Sequence, residues 1–391
     1  MLKSLYSAVS GLKNQQTKMD VTGNNIANVS TVAFKTSRVT FKDMLSQTLQ
    51  DATAPTEGLG GSNAKQVGLG VTVGSIDTDM SQGSLDPTGV YSDLALDGNG
   101  FFIVAQTDNN DSTKAINVKY TRDGAFTLDS KGNLVTSDGY HVRIQRPLGN
   151  TGGEIQYLQD NLILPPEMHA PVSAAGFNFG VAVDSTGNPV KSIVLESDTT
   201  LTQPTATFTD GVLTIKANFT NANNLVTSDQ LQAAINSCEN LGDKVVFVGG
   251  SADIEKAKKI PADGVIGKDI DTSTVEKMKS FSIEATGNIK AIYGSSIVNM
   301  GQVILANFQN PAGLNKIGNN AYTESSNSGQ AQITTTDKLG TSIRQGYLEA
   351  SKVDLATEFT NIIITSKAYQ ANSKVITASD ELLDSLLSTI R

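Results

Sequence analysis

The stretch "LEASKVDLATEFTNIIITSKAYQANSKVITASDELLDSLLSTI", residues 348–390, repeats one apolar position every seven residues. Leu348, Leu355, Ile362, Tyr369, Ile376, Leu383 and Ile390 form the series, with Phe359, Ile363, Leu386 and Leu387 widening it in places and Ser366 and Ser373 interrupting a second row. No Gly or Pro breaks the run. The spacing predicts one helix, about 65 Å long at a rise of ~1.5 Å per residue. Such a narrow apolar stripe cannot be sheltered by a lone helix, so it demands a partner.

A second heptad series lies at the opposite end. Leu5, Leu12, Met19 and Ile26 recur every seven positions, with Leu2 and Val9 on companion sites. Gly23 falls inside this helix at a cost of about 1 kcal/mol, a point where fraying is expected. Two arrangements fit: an intramolecular coiled coil of the two ends, or a pair that also engages other copies of the chain. The first 45 residues hold six basic and two acidic side chains and the last 44 hold four and six, a mild complementarity. Exposed pairs contribute only tenths of a kcal/mol each.

Between the ends the chain reads as β. Residues 65–76, 92–104 and 120–142 alternate apolar and polar positions, punctuated by Asp97-Gly98, Asp123-Gly124 and Asp138-Gly139, which are strong turn signals. The turn Asp129–Asn133 returns at Asp184–Asn188. Pro and Gly cluster at 145–154 and suggest a boundary. Beyond it, residues 228–250 read as a helix, a turn and a buried strand, followed by a solvated Lys256–Lys259 face. The expected fold is mainly β with a terminal α-helical coiled coil, its β domains formed discontinuously around a central insert. Residues 1–70 and 345–391 are assigned to an inner helical domain and connecting segment. Residues 71–147 and 285–344 form a β domain, and 148–284 a mostly β outer domain with a small α/β insertion near 200–265.

Composition excludes several function classes. A net charge of −9 disfavours nucleic acid, whose phosphates demand concentrated Lys and Arg. No apolar run is long enough to span a bilayer. The first twenty residues lack a cleavable secretory signal's apolar stretch, so either a cytoplasmic location or export without cleavage is expected. One cysteine, Cys238, and two histidines, His141 and His169, give no internal disulfide and no zinc cluster. The glycine-rich 58–74 fits neither a phosphate-binding loop nor a dinucleotide fingerprint, and Asp77 and Asp79 lack the further oxygens of a calcium loop. Neither catalytic residues nor a cofactor or metal site is expected.

At the first helix's exit, "GNNIANVSTVAFK" (23–35) gathers Asn24, Asn25 and Asn28 just before Phe34. Short amides there can bond nearby backbone and support a tight turn, and burial of Phe34 would contribute about 2 kcal/mol.

Taken together, "SLYSAVSGLKNQQTKMDVTGNNIANVSTVAFK", "SQGSLDPTGVYSDLALDGNGFFIV", "YTRDGAFTLDSKGNLVTSDGY", "GQVILANFQNPAGLNKIGNNAYTESSNSG" and the final helix resemble the bacterial flagellar rod and hook family. The blocks span roughly residues 1–145 and 285–391 and leave the middle uncovered. The long middle resembles hook members more than the shorter distal rod members. The resemblance implies a structural subunit that polymerises into the flagellar hook, with both chain ends inside a tube and the insert facing out. It further implies rod, hook-cap and hook–filament junction proteins and the flagellar export apparatus as partners. Leu5, Leu12, Met19 and Ile26 with the series Leu348 to Ile390 and Phe359 would form the polymerisation interface, and Asn24, Asn25, Asn28 and Phe34 a junction between inner helix and β domain. Some relatives join subunits by a Cys-to-Lys link, which would involve Cys238, with Lys244 among the partners; the plainer reading is a half-buried side chain at a helix end. Two departures stand out: Ala33 where the family commonly has Gly, and Ser351-Lys352-Val353-Asp354 where it commonly has Ser-Asn-Val-Asp. The alternatives are a distal rod protein and, from another class, an exposed adhesive or carbohydrate-binding β protein.

Overall fold

The computed structural model describes residues 2–389 except 55–59, 109–110, 152–153, 163, 175–176, 183–189, 202, 220–227, 239–245, 251–264, 271–274 and 295. It contains four α-helices among the described residues: α1 (Leu2–Ala27), α2 (Ser228–Asn236), α3 (Thr336–Leu339) and α4 (Leu355–Thr389). The chain forms two compact units, one from Met1–Ser84 with Ala350–Arg391, the other from Leu85–Glu349.

In the first unit α1 runs unbroken through Gly23 and packs against α4. The fraying expected at Gly23 is absent, because tertiary contact overrides a propensity penalty of about 1 kcal/mol. After a turn, strand Ser37–Asp43 pairs antiparallel with Val71–Thr78, with a bulge at Thr40/Phe41. Strand Ser46–Gln50 pairs with Lys65–Gly68 as a separate two-stranded hairpin. Residues 71–84 therefore belong with the terminal helices, whereas the sequence reading ended that segment at 70.

The last helix is shorter than the heptad pattern suggests. Its 35 residues span about 52 Å. Leu348, read as its first seam position, lies instead in strand Tyr347–Glu349 of the second unit, opposite Asp86. Asp354 sets the true start, since its carboxylate accepts hydrogen bonds from the Ala356 amide at 3.1 Å and the Thr357 hydroxyl at 2.6 Å. This is an N-cap, which satisfies an amide the helix cannot. Ile390 lies outside the described residues.

The second unit is built on a large, mostly antiparallel sheet. Hairpin Phe101–Asp108 with Asp111–Thr121 and the meander Val275–Ile283, Asn288–Tyr293, Ser296–Val303 belong to it. Leu94, Leu96, Phe102, Phe126, Ile144, Tyr293 and Val303 pack in its core. The Pro- and Gly-rich stretch read as a boundary is instead the tip of a hairpin between His141–Thr151 and Glu154–Asn161. Its ladder shifts between Pro147 and Gly149, and a bulge is where a strand tolerates Pro. Strands Glu167–Ala174 and Val275–Ile283 continue the same sheet, so residues 85–349 cluster as one unit rather than splitting at 147 and 284.

Within that unit a four-stranded sheet, ordered Thr205–Thr209, Val212–Ala217, Ser192–Ser197, Val265–Asp269, contains one parallel pair. Ile193, Leu195, Leu213 and Ile215 alternate inward and meet Leu231 and Ile235 of α2 in a second core. The strand expected after α2 is Val246–Gly250, but it joins the large sheet through Phe177–Ala182. The Asp129–Asn133 turn forms as read, with the Asp129 carboxylate accepting from the Lys131 and Asn133 amides. Its expected repeat at 184–188 and the Lys256–Lys259 run lie outside the described residues.

Candidate functional site

The two terminal helices meet along a seam of small and polar residues, not along the apolar heptads. On α1 the buried positions are Ala8, Gly11, Asn14, Thr22 and Asn25, of which Asn14 donates to the Val71 carbonyl at 2.6 Å. On α4 Thr365 and Ser379 are buried, and Glu358 and Asn372 half-buried, at seven-residue intervals. A Cβ placed on Gly11 would stand 2.7 Å from the Asn372 amide nitrogen, so only glycine admits that close approach without displacement. Two heptads along, the Asn25 amide donates to Glu358 Oε1 at 3.0 Å. The Thr365 and Ser379 hydroxyls donate back to the Asn361 and Val375 carbonyls, which lets a hydroxyl be buried within its own helix.

The predicted seam residues flank this contact. Leu5, Leu12, Met19 and Ile26 of α1, and Ile362, Ile376 and Leu383 of α4, are half-buried. Leu355, Phe359 and Tyr369 are exposed. With them an apolar band stays open on α4: Phe359 is 52% exposed, Ile363 61%, Ile364 56% and Leu382 57%. Burying such side chains fully contributes about 1.5–3 kcal/mol each, so this band is a large unclaimed driving force. Gly11, Thr365 and Ser379 carry no apolar signal and so lie outside the heptad series. The signal was present as a second seven-residue series, Glu358, Thr365, Asn372, Ser379.

At the exit of α1 the three asparagines divide their roles. The Asn28 amide donates to the Asn24 carbonyl and side chain, both at 2.9 Å, closing the helix end locally. Asn25 is buried and reaches outward: its amide also donates to the Ser37 carbonyl at 2.8 Å, and its oxygen accepts from the Ser37 amide. Helix, strand and last helix thus converge on one side chain. Phe34 is buried, and its carbonyl accepts from the Lys352 amide at 3.0 Å. Ala33, buried beside it, has φ of 56°. That left-handed conformation costs a residue with a Cβ roughly 1–2 kcal/mol and accounts for the glycine common in the resembled family. Lys35, unremarked in the sequence, is buried, and its ammonium donates to the Ser81 carbonyl at 2.7 Å.

The second unit carries one buried ion pair among the described residues. Arg122 Nη1 lies 3.3 Å from Glu349 Oε2, with side-chain exposures of 4% and 1%, and its Nη2 donates to the Gly98 carbonyl at 2.7 Å. Burial pushes the Tyr322 phenol up to about 12, with the Glu349 charge adding to it. Cys238 is half-buried against the second core, and Lys244 lies outside the described residues. Among the described residues no three His, Cys, Asp or Glu side chains are grouped as metal ligands. A polar cleft is lined by Thr121, Asp123, Thr136, Asp138, Tyr140 and Asn319. Lys119 Nζ sits 3.9 Å from the Tyr140 ring centroid. No described helix is long and apolar enough to cross a membrane.

Three family descriptions match this chain in order: flagella basal body rod protein over residues 5–35, the flagellar hook protein FlgE/F/G D1 domain over 95–291, and flagellar basal body rod FlgEFG protein C-terminal over 344–389. The second covers the middle region that the quoted motifs did not reach. The flagellar hook protein FlgE of Borreliella burgdorferi is 35% identical over 99% of both chains. That of Treponema pallidum is 32% identical over the full length of both. The flagellar basal-body rod protein FlgG of Bacillus subtilis is 34% identical, again over the full length of both. The solved Helicobacter pylori hook protein FlgE2 is a distant likeness, with 13% identity, a TM-score of 0.34, and coverage of 68% of this chain and all of that one. Matches to both termini and the β region, with relatives aligned end to end, make this chain a member of the bacterial flagellar hook and basal-body rod family.

Proposed function

We propose that this chain is a structural subunit of the flagellar hook, polymerising through its terminal helices into the flexible tube that passes torque from rod to filament. One observation carries the reading: α4 turns a polar seam toward α1 and leaves Phe359, Ile363, Ile364 and Leu382 open. A soluble protein gains nothing from such a band unless another surface covers it. Identical subunits stacked along a tube supply that surface at every repeat.

The hairpin Ser46–Gln50 with Lys65–Gly68 supports the same reading. None of its strand residues is buried, and Leu45 and Leu49 are exposed. A lone two-stranded hairpin is marginal in water, so contact with further copies would complete it. No catalytic role is assigned, and the flagellar export route would deliver the chain without a cleaved signal. Rod, cap and junction proteins of the same axial structure are the proposed partners. A rod subunit is the second reading, favoured by the full-length likeness to the Bacillus protein FlgG.

Deletion of residues 360–391 tests the proposal. The full-length chain is expected to form tubes visible by electron microscopy, while the truncated chain stays monomeric with its second unit folded. Tubes formed by the truncated chain would refute the role given to α4. Curved tubes indicate the hook and straight ones the rod.

A further inference from the structure

The apolar residues flanking the α1–α4 contact repeat every seven positions on both helices. A slip of α4 along α1 by one heptad would therefore leave hydrophobic packing nearly unchanged, and packing alone cannot select a register. The central stripe of α4 repeats as well: Glu358, Thr365, Asn372 and Ser379 are all polar or small. Within the helix pair two points break the repeat, and just before α4 the Lys352 amide on the Phe34 carbonyl adds a third tie. Among the described residues of α1, Gly11 is the glycine set against Asn372 and Asn25 the side chain bonded to Glu358.

A slip in one direction brings Lys18, not Gly11, in front of Asn372 and sets Asn25 against Thr365. A slip the other way carries Asn25 past the start of α4 to position 351. Either removes a charge-assisted bond from an amide that is buried. Asn25 cannot follow α4, because its amide and its oxygen are both tied to Ser37.

We infer that Gly11 and Asn25 together form the register key of the terminal helix pair, and that this register decides which face of α4 is left for other copies. A buried polar residue that fixes alignment at some cost in stability is the best-attested use of such groups. The first half stands on the helix pair alone; the second rests on the polymerisation reading.

Disulfide trapping in the full chain, with Cys238→Ser, tests both halves. Extending the Gly11–Asn372 and Asn25–Glu358 pairing by one heptad sets Ser4→Cys opposite Ser379→Cys, and a one-heptad slip would set it opposite Leu386→Cys. With the key intact, the 4–379 link should exceed the 4–386 link about tenfold, the ratio expected from one charge-assisted hydrogen bond. Asn25→Ala with Gly11→Ala should narrow that excess several-fold, the Lys352–Phe34 bond remaining in place. In a Gly11→Ala background alone, Asn372→Ala should restore the excess by reopening the gap, which separates loss of register from failure to fold. The oxidised 4–379 chain should still polymerise. An excess unchanged when both key residues are gone would overturn the register key. Oxidised 4–379 chain unable to polymerise, while its reduced form can, would overturn the second half. A full chain that never polymerises would also overturn that half, and the cross-link ratio would still decide the first.

Discussion

A single dihedral shows how much one position can hold. Ala33 sits in left-handed backbone between the helix exit and Phe34, where glycine carries no steric penalty. Ala33→Gly is expected to stabilise the first unit by about 0.5–1 kcal/mol, the relief of strain less the added freedom of the unfolded chain. Urea denaturation checks it, and a loss of stability would contradict the left-handed geometry. At Arg122 and Glu349 the logic reverses. Each is desolvated, and the pairing offsets that cost. Glu349→Gln should cost about 3–5 kcal/mol by stranding a buried guanidinium, whereas Arg122→Met with Glu349→Leu should recover most of it. Equal losses in the single and double variants would mean the pair is not what holds Glu349.

At the scale of the element, α4 depends on its first turn and on its outer face. Hydrogen bonds from the Thr357 hydroxyl, then the Ala356 amide, hold the Asp354 carboxyl below its ordinary value of 3.8. The folded state thus prefers the ionised cap. The contribution is fully present above pH 3.8 and is lost as pH falls through the lower folded value. Far-UV circular dichroism should show helix content falling in that acid range, and Asp354→Asn, which still caps, should remove the cap's share of the fall. An unchanged acid profile in Asp354→Asn would show that other groups set it. On the outer face, Ile363→Glu with Ile364→Glu should leave monomer stability within about 0.5 kcal/mol per site, as for ordinary surface changes, yet abolish polymer growth. Normal growth would mean that the band lies outside the contact.

Over the whole molecule, legibility followed the kind of signal. Periodicity in the apolar residues was enough to place both helices, and the Lys-Gly-Asn turn was enough to place the hairpin around 129, whereas Asp97-Gly98 joins strands that pair elsewhere, Leu94–Asp97 with Ser342–Gln345 and Phe101–Asp108 with Asp111–Thr121. Leu348 was misplaced because a heptad match ignores whether the backbone is already paired; strand Tyr347–Glu349 uses it against Leu85–Pro87. The boundary at 145–154 was misread because Pro147 and its neighbouring Gly mark a bulge as readily as a linker. The seam itself was hidden, since its residues are chosen for smallness and hydrogen bonding and carry no hydrophobic signature. The apolar side chains that α4 leaves exposed form the surface proposed for contact with other copies. A thiol at position 364 reads that surface directly. In chain carrying Cys238→Ser and Ile364→Cys, the rate of alkylation should match an exposed cysteine in the monomer and fall at least about tenfold in the polymer, as burial at a well-packed contact requires. A thiol equally reactive in both states would contradict the account.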